Sequence, residues 1–141
     1  MTALFIRNEN FRQFTHYYPV VSILLTVNTA LFILTYLPFV GDLIYALGIG
    51  HNAAIKQGEI WRLFTSIFLH EGLMHFLFNT FALFIFAPAL ERILGRLKFI
   101  ALYLFAGVVG NIATLLLGHD IIAYLGASGS LYGLLGLYLY M

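Results

Sequence analysis

Gly126-Ala127-Ser128-Gly129 runs directly into Ser130-Leu131-Tyr132-Gly133-Leu134-Leu135-Gly136-Leu137-Tyr138. A serine between glycines stands where a long apolar helix begins. A helix start presents unpaired backbone N–H groups and the positive end of the macrodipole, which together suit a developing oxyanion. The plainer reading is capping, because serine is a favoured N-cap. The motif alone does not decide between the two.

Composition sets the surroundings. The chain has 141 residues, of which 62% are hydrophobic and 9% charged, with a mean hydropathy of +0.94. Soluble domains carry about 25% charged residues. The expected class is an all-α, polytopic membrane protein forming one domain. A net charge of +1 gives no reason to expect nucleic acid. The absence of cysteine excludes disulfides, thiolate metal sites and a cysteine nucleophile.

Hydropathy divides the chain into an arm at 1–19, with Arg7 and Arg12, and a core at 20–141. Within the core, spans are expected at about 20–40, 64–90, 99–117 and 127–141, with a membrane-associated outer connection at 41–62. Basic residues cluster on one side: Arg7, Arg12, Arg92, Arg96 and Lys98, against Lys56 and Arg62 on the other. The positive-inside rule then places the amino terminus in the cytoplasm. The fourth run is still apolar at Met141, so the reading expects it to continue beyond the sequence.

The second span carries His70, Glu71, His75 and Asn79. Ionisable residues at membrane depth are costly and point to function. His70 and His75 resemble a zinc-protease pair, but their spacing is five rather than four. On one continuous helix that places the rings about 140° apart, on different faces, so no metal is expected. His75 and Asn79, at i and i+4, share a face and are candidate donors to an oxyanion. Structural hydrogen bonding is the alternative. His70 reads as structural, Trp61 as an interfacial anchor and Arg62 as a snorkelling side chain.

Taken together, these residues resemble the rhomboid intramembrane serine proteases. Trp61-Arg62 is similar to the family's Trp-Arg pair, and His70, His75 and Asn79 to its second-helix signature. Glu91-Arg92 with Gly95 resembles its segment at the cytoplasmic end of that helix, and Gly126-Ala127-Ser128-Gly129 its nucleophile motif. The resemblance implies a six-helix bundle, of which four transmembrane helices fall within this chain. It implies Ser128 as nucleophile, and His75, Asn79 and the Ser128 N–H as the oxyanion hole. It implies that Tyr132 packs on a catalytic histidine supplied by a later, sixth helix. The face bearing Gly129, Gly133 and Gly136 is expected to be bare, awaiting that helix. The implied activity is an endopeptidase in the bilayer that cuts transmembrane proteins without metal or cofactor. By analogy it would sit in a bacterial cytoplasmic membrane. The alternative is an inactive rhomboid-like protein that binds transmembrane helices.

Overall fold

The computed structural model describes residues 8–141; Arg7, at the start of the expected arm, lies outside them. The described chain is mostly helical. α1 (Phe11–Tyr17) opens on a capping box, in which the Asn10 side chain accepts from the Gln13 N–H while the Gln13 side chain accepts from the Asn10 N–H. α2 (Pro19–Leu34) starts on a proline, which suits the first helical position. α1 and α2 are bent against each other by 110°, so α1 crosses the end of the bundle.

The connection after α2 is folded rather than loose. It contains α3 (Val40–Gly48), strand β1 (Gly50–His51), α4 (Asn52–Lys56), α5 (Arg62–Thr65) and a 3-10 turn at Ser66–Phe68. Two long helices follow, α6 (Leu73–Leu94) and α7 (Arg96–Leu117), then β2 (Ala123–Tyr124) and α8 (Ser128–Tyr140). β1 and β2 pair antiparallel, Gly50 opposite Tyr124 and His51 opposite Ala123. This small ladder ties the connection to the segment that leads into Ser128.

Helix boundaries depart from the expected spans. Residues 64–72 do not belong to the second helix: they form α5, the 3-10 turn and an irregular segment, and α6 begins only at Leu73. Among the described residues, α6 and α7 are long and apolar enough to cross a membrane, and the bent α1–α2 pair makes a third if counted as one span. α2 has 16 residues and α8 has 13. At 1.5 Å per residue they reach about 24 and 20 Å, short of a 30 Å hydrocarbon core.

α2 and α6 run antiparallel. Phe32 stacks on Phe76 at one end, with ring centroids 4.1 Å apart. At the other end the Glu91 carboxylate accepts from the Val20 and Val21 N–H groups, at 3.0 and 2.8 Å. Glu91 thus neutralises the positive terminus of α2 from a neighbouring helix. Gly95 joins α6 to α7 at φ +79, a value that L side chains rarely adopt. Leu83, Leu90, Phe99, Tyr103 and Leu134 form the fully buried centre.

The glycine face of α8 is not bare. A Cβ added to Gly133 would lie 2.3 Å from the Ala106 Cβ, and one added to Gly129 would touch the Gly107 backbone at 3.7 Å. α7 therefore occupies the face that the sequence reading left open. Of the three α8 glycines, Gly136 alone meets nothing within 4 Å. The close approach is physical: without side chains, two helix backbones can come into contact where lipid offers no hydrophobic drive.

Candidate active site

The site forms where α6 begins and α8 begins. Ser128 is the first residue of α8, and Ala127 is the N-cap, with no side-chain cap. Neither Ser128 nor Ser130 caps the helix. Ser130 instead turns its fully buried hydroxyl toward α7, where a Cβ on Gly107 would meet it at 2.4 Å. The first bond of the α8 ladder runs from the Leu131 N–H to the Ala127 carbonyl, at 2.9 Å. The N–H groups of residues 128–130 therefore precede any helical partner.

The turn before Ser128 is held from three sides. Gly126 sits at φ +114, and a Cβ there would meet His75 Nε2 at 2.6 Å. Glycine at this position lets the backbone bend and lets the imidazole pack against it. The Gly126 N–H donates to the Ser66 carbonyl at 2.8 Å. The Ala127 N–H donates to His70 Nε2 at 3.4 Å.

His70 precedes α6 and does not share a helix with His75, so the two rings are not held about 140° apart. The irregular segment folds the rings edge to face, with centroids 5.4 Å apart. His70 is 1% exposed. Burial first, and the neighbouring His75 second, push its pKa down to about 4. The ring is therefore neutral near pH 7 and can accept from Ala127. Its carbonyl accepts from the Tyr45 hydroxyl at 2.9 Å. Among the described residues, no third histidine or acidic side chain joins the pair as a metal cluster.

Asn79 lies one turn after His75, and its Nδ2 donates to the His75 carbonyl at 2.8 Å. The amide has a second N–H. His75, Asn79, Ser128 and Tyr132 line one groove of about 310 Å³, with apolar walls from Phe78 and Leu131. Tyr132 is exposed beside it.

The remaining motif residues act away from the groove. Trp61 is half-exposed and donates through Nε1 to the Leu47 carbonyl at 3.1 Å. Arg62 does not snorkel. It is 6% exposed, and its guanidinium donates to the Ile49 carbonyl (2.9 Å), the Ala46 carbonyl (2.7 Å) and the Glu59 carboxylate (2.5 Å). It pins the outer connection from within. Glu91 and Gly95 lie at the far end of α6, as described above.

Sequence reasoning missed the layer behind the serine turn. Asn111 Nδ2 donates to the Leu63 carbonyl and to Ser66 Oγ, at 2.8 and 3.0 Å. Ser66 in turn holds Gly126. Asn52, fully buried, donates to the Thr114 and His119 carbonyls. An amide in the middle of an apolar run was the available signal for Asn111. Its partner could not be read from spacing.

Comparison with known proteins gives the family of the chain. The family model described as the Rhomboid domain matches residues 57–141. The chain is 42% identical over 139 residues to the putative rhomboid protease YdcA of Bacillus subtilis (strain 168), covering 98% of this chain and 70% of that protein. It is 43% identical over 100 residues to the rhomboid protease GluP of the same organism, covering 71% of this chain but 19% of GluP. Similarity extends to RHOMBOID-like protein 1 of Arabidopsis thaliana, at 39% over 85 residues, covering 60% of this chain and 22% of that protein. With the paired apolar helices and the groove at their head, these matches show that the chain belongs to the rhomboid family.

Proposed function

We propose that this chain carries the nucleophile and oxyanion hole of an intramembrane serine endopeptidase acting on transmembrane proteins. The observation that carries the reading is the shared groove: Ser128 from α8 and His75 and Asn79 from α6 line one cavity. Two of the compared Bacillus proteins are named rhomboid proteases.

In this reading Ser128 Oγ attacks the scissile carbonyl of a helix unwound at the groove. A histidine takes the hydroxyl proton, since a serine is a weak nucleophile without a base in hydrogen-bond reach. That base belongs to the two further core helices that the family resemblance implies. The tetrahedral oxyanion is held by the Ser128 N–H, the free N–H of Asn79 and the His75 imidazole. Each such donor is worth roughly 10²–10³ in kcat. Collapse of the intermediate breaks the C–N bond, and the histidine returns its proton to the leaving amine. Tyr132 forms the wall on which that histidine packs. No metal or cofactor enters. The four-span topology with a cytoplasmic amino terminus, in a bacterial cytoplasmic membrane, belongs to the same proposal.

The test is Ser128→Ala in the complete protein, reconstituted with a helical membrane substrate. Cleavage should fall to background, and a serine-directed phosphonate should label the parent but not the variant. Undiminished cleavage overturns the assignment.

A second reading is a non-hydrolytic protein that binds transmembrane helices in the same groove. It would share the groove lined by Ser128, His75 and Asn79 but carry out no acyl transfer there. It expects no phosphonate labelling of the complete protein.

A further inference from the structure

The end of the bundle remote from Ser128 holds a second cavity. From His75 to Arg92 along α6 is about 25 Å at 1.5 Å per residue. There, a pocket of about 390 Å³ is lined by Tyr17, Tyr18 and Arg92. It sits in the elbow where α1 turns through 110° into α2, against the last turn of α6. We propose that this elbow pocket binds the phosphate-bearing headgroup of an anionic lipid.

The charge balance at this end calls for an anion. Arg92 pairs with no acidic side chain among the described residues. Its neighbour Glu91 is unavailable, because it is 3% exposed and both its oxygens are taken by the Val20 and Val21 N–H groups. Arg96 and Lys98 occupy the first turn of α7, which contains no acidic residue. Cations at a helix N-terminus oppose the macrodipole, so an anion here would be stabilised twice. Arg12 on α1 adds a fourth positive charge at the same end, against one further carboxylate, Glu9, just before that helix, so the cations remain in excess.

The depth points to a lipid rather than to a solute. Pro19 begins an apolar helix immediately after the two tyrosines. Aromatic rings of this kind collect at the headgroup level. α1 crosses the bundle end and is docked through Phe14, whose ring lies 5.2 Å from Tyr18 and 5.3 Å from Phe84. Phe11 on the same helix is 84% exposed, as expected of a helix lying in the interface with its apolar residues in acyl chains. A guanidinium recognises phosphate through paired N–H donors, and the tyrosine hydroxyls can add further donors.

The test uses the full protein, delipidated in a neutral detergent. It is titrated separately with phosphatidylglycerol, phosphatidylcholine and inorganic phosphate. Bound lipid is read by native mass spectrometry and stabilisation by the shift in melting temperature. Phosphatidylglycerol should bind in preference to phosphatidylcholine and raise the melting temperature. Arg92→Gln should weaken that binding about fivefold or more, since a basic side chain near an anionic surface contributes about 1 kcal/mol. Arg92→Lys should retain part of the binding, and Lys56→Gln, at the other end, should leave it unchanged. Equal binding of the two lipids, or binding indifferent to Arg92→Gln, overturns the proposal. Saturation by inorganic phosphate with no preference for the lipid also overturns it, in favour of a soluble anion.

Discussion

The outer connection and the α6–α7–α8 bundle solve the same problem by opposite means. In the connection, side chains satisfy backbone carbonyls. Arg62 reaches Ile49 and Ala46, Thr65 reaches Gly48, Trp61 reaches Leu47, and Tyr45 reaches His70. In the bundle, the long helices satisfy their own backbones and gain stability from close approach, with Gly107 under Ser130 and Gly133 against Ala106. Irregular backbone near membrane depth persists only where its polar groups are paired internally. Helices already paired need only fit. The serine turn lies on the seam: Ser66 and His70 hold it from the connection, and His75 packs on it from the bundle.

If that contrast is right, removing a polar donor should harm the connection most. Arg62→Ala leaves two carbonyls and a carboxylate without their buried partner. It should cost roughly 3 kcal/mol, read as a lower melting temperature in detergent. Arg62→Lys should recover only part, because an ammonium cannot span all three acceptors. An Arg62→Ala protein as stable as the parent would break the comparison.

The bundle should instead respond to volume. Gly133→Ala forces its Cβ onto Ala106 and should cost about 1–3 kcal/mol. Gly136→Ala, on the same helix with open space around it, should be neutral or gain a few tenths of a kcal/mol from helix propensity. Equal effects at the two positions would mean that α7 does not hold the α8 glycine face.

The seam should show both behaviours in smaller measure. His70→Ala strands the Ala127 N–H and should cost about 1–2 kcal/mol. It should also slow phosphonate labelling of Ser128. Acid provides a second reading. The folded-state pKa of His70 is depressed to about 4 from an ordinary 6.5, so between those values the unfolded chain holds the extra proton. Stability should therefore fall as pH drops from about 6.5 toward 4. His70→Ala should flatten that slope relative to the parent, a difference that can be followed by thermal melts across the range.

The smallest effect belongs to the exposed pair Lys56–Asp120, which joins α4 to the turn after α7. The Lys56 hydrogen bond and charge hold the Asp120 carboxyl below its ordinary pKa. Both partners face solvent, where screening removes most of the gain. Asp120→Asn should leave the melting temperature nearly unchanged, and any difference should vanish at high salt.

The apolar character, the approximate positions of the long helices and the candidate residues Ser128, His75 and Asn79 were legible in the sequence. They rest on composition, on i, i+4 periodicity and on short motifs, all of which are local. The family resemblance added the expectation of one shared site. Three readings failed for a common reason. The helix containing His75 was extended back through His70, Arg62 was sent to solvent, and the α8 glycines were left uncovered. Each depends on which distant segment lies opposite, and no local pattern encodes that.

By itself, then, the amino-acid order determined that the chain enters a membrane, where its apolar stretches lie, and that a serine stands at a helix start. Only the tertiary structure decided that His70 meets Ala127, that Glu91 closes the end of α2, and that α7 fills the glycine face of α8. The reason is physical. Hydropathy and helical period arise within one segment, whereas a buried hydrogen bond or a backbone contact needs two segments brought together by folding.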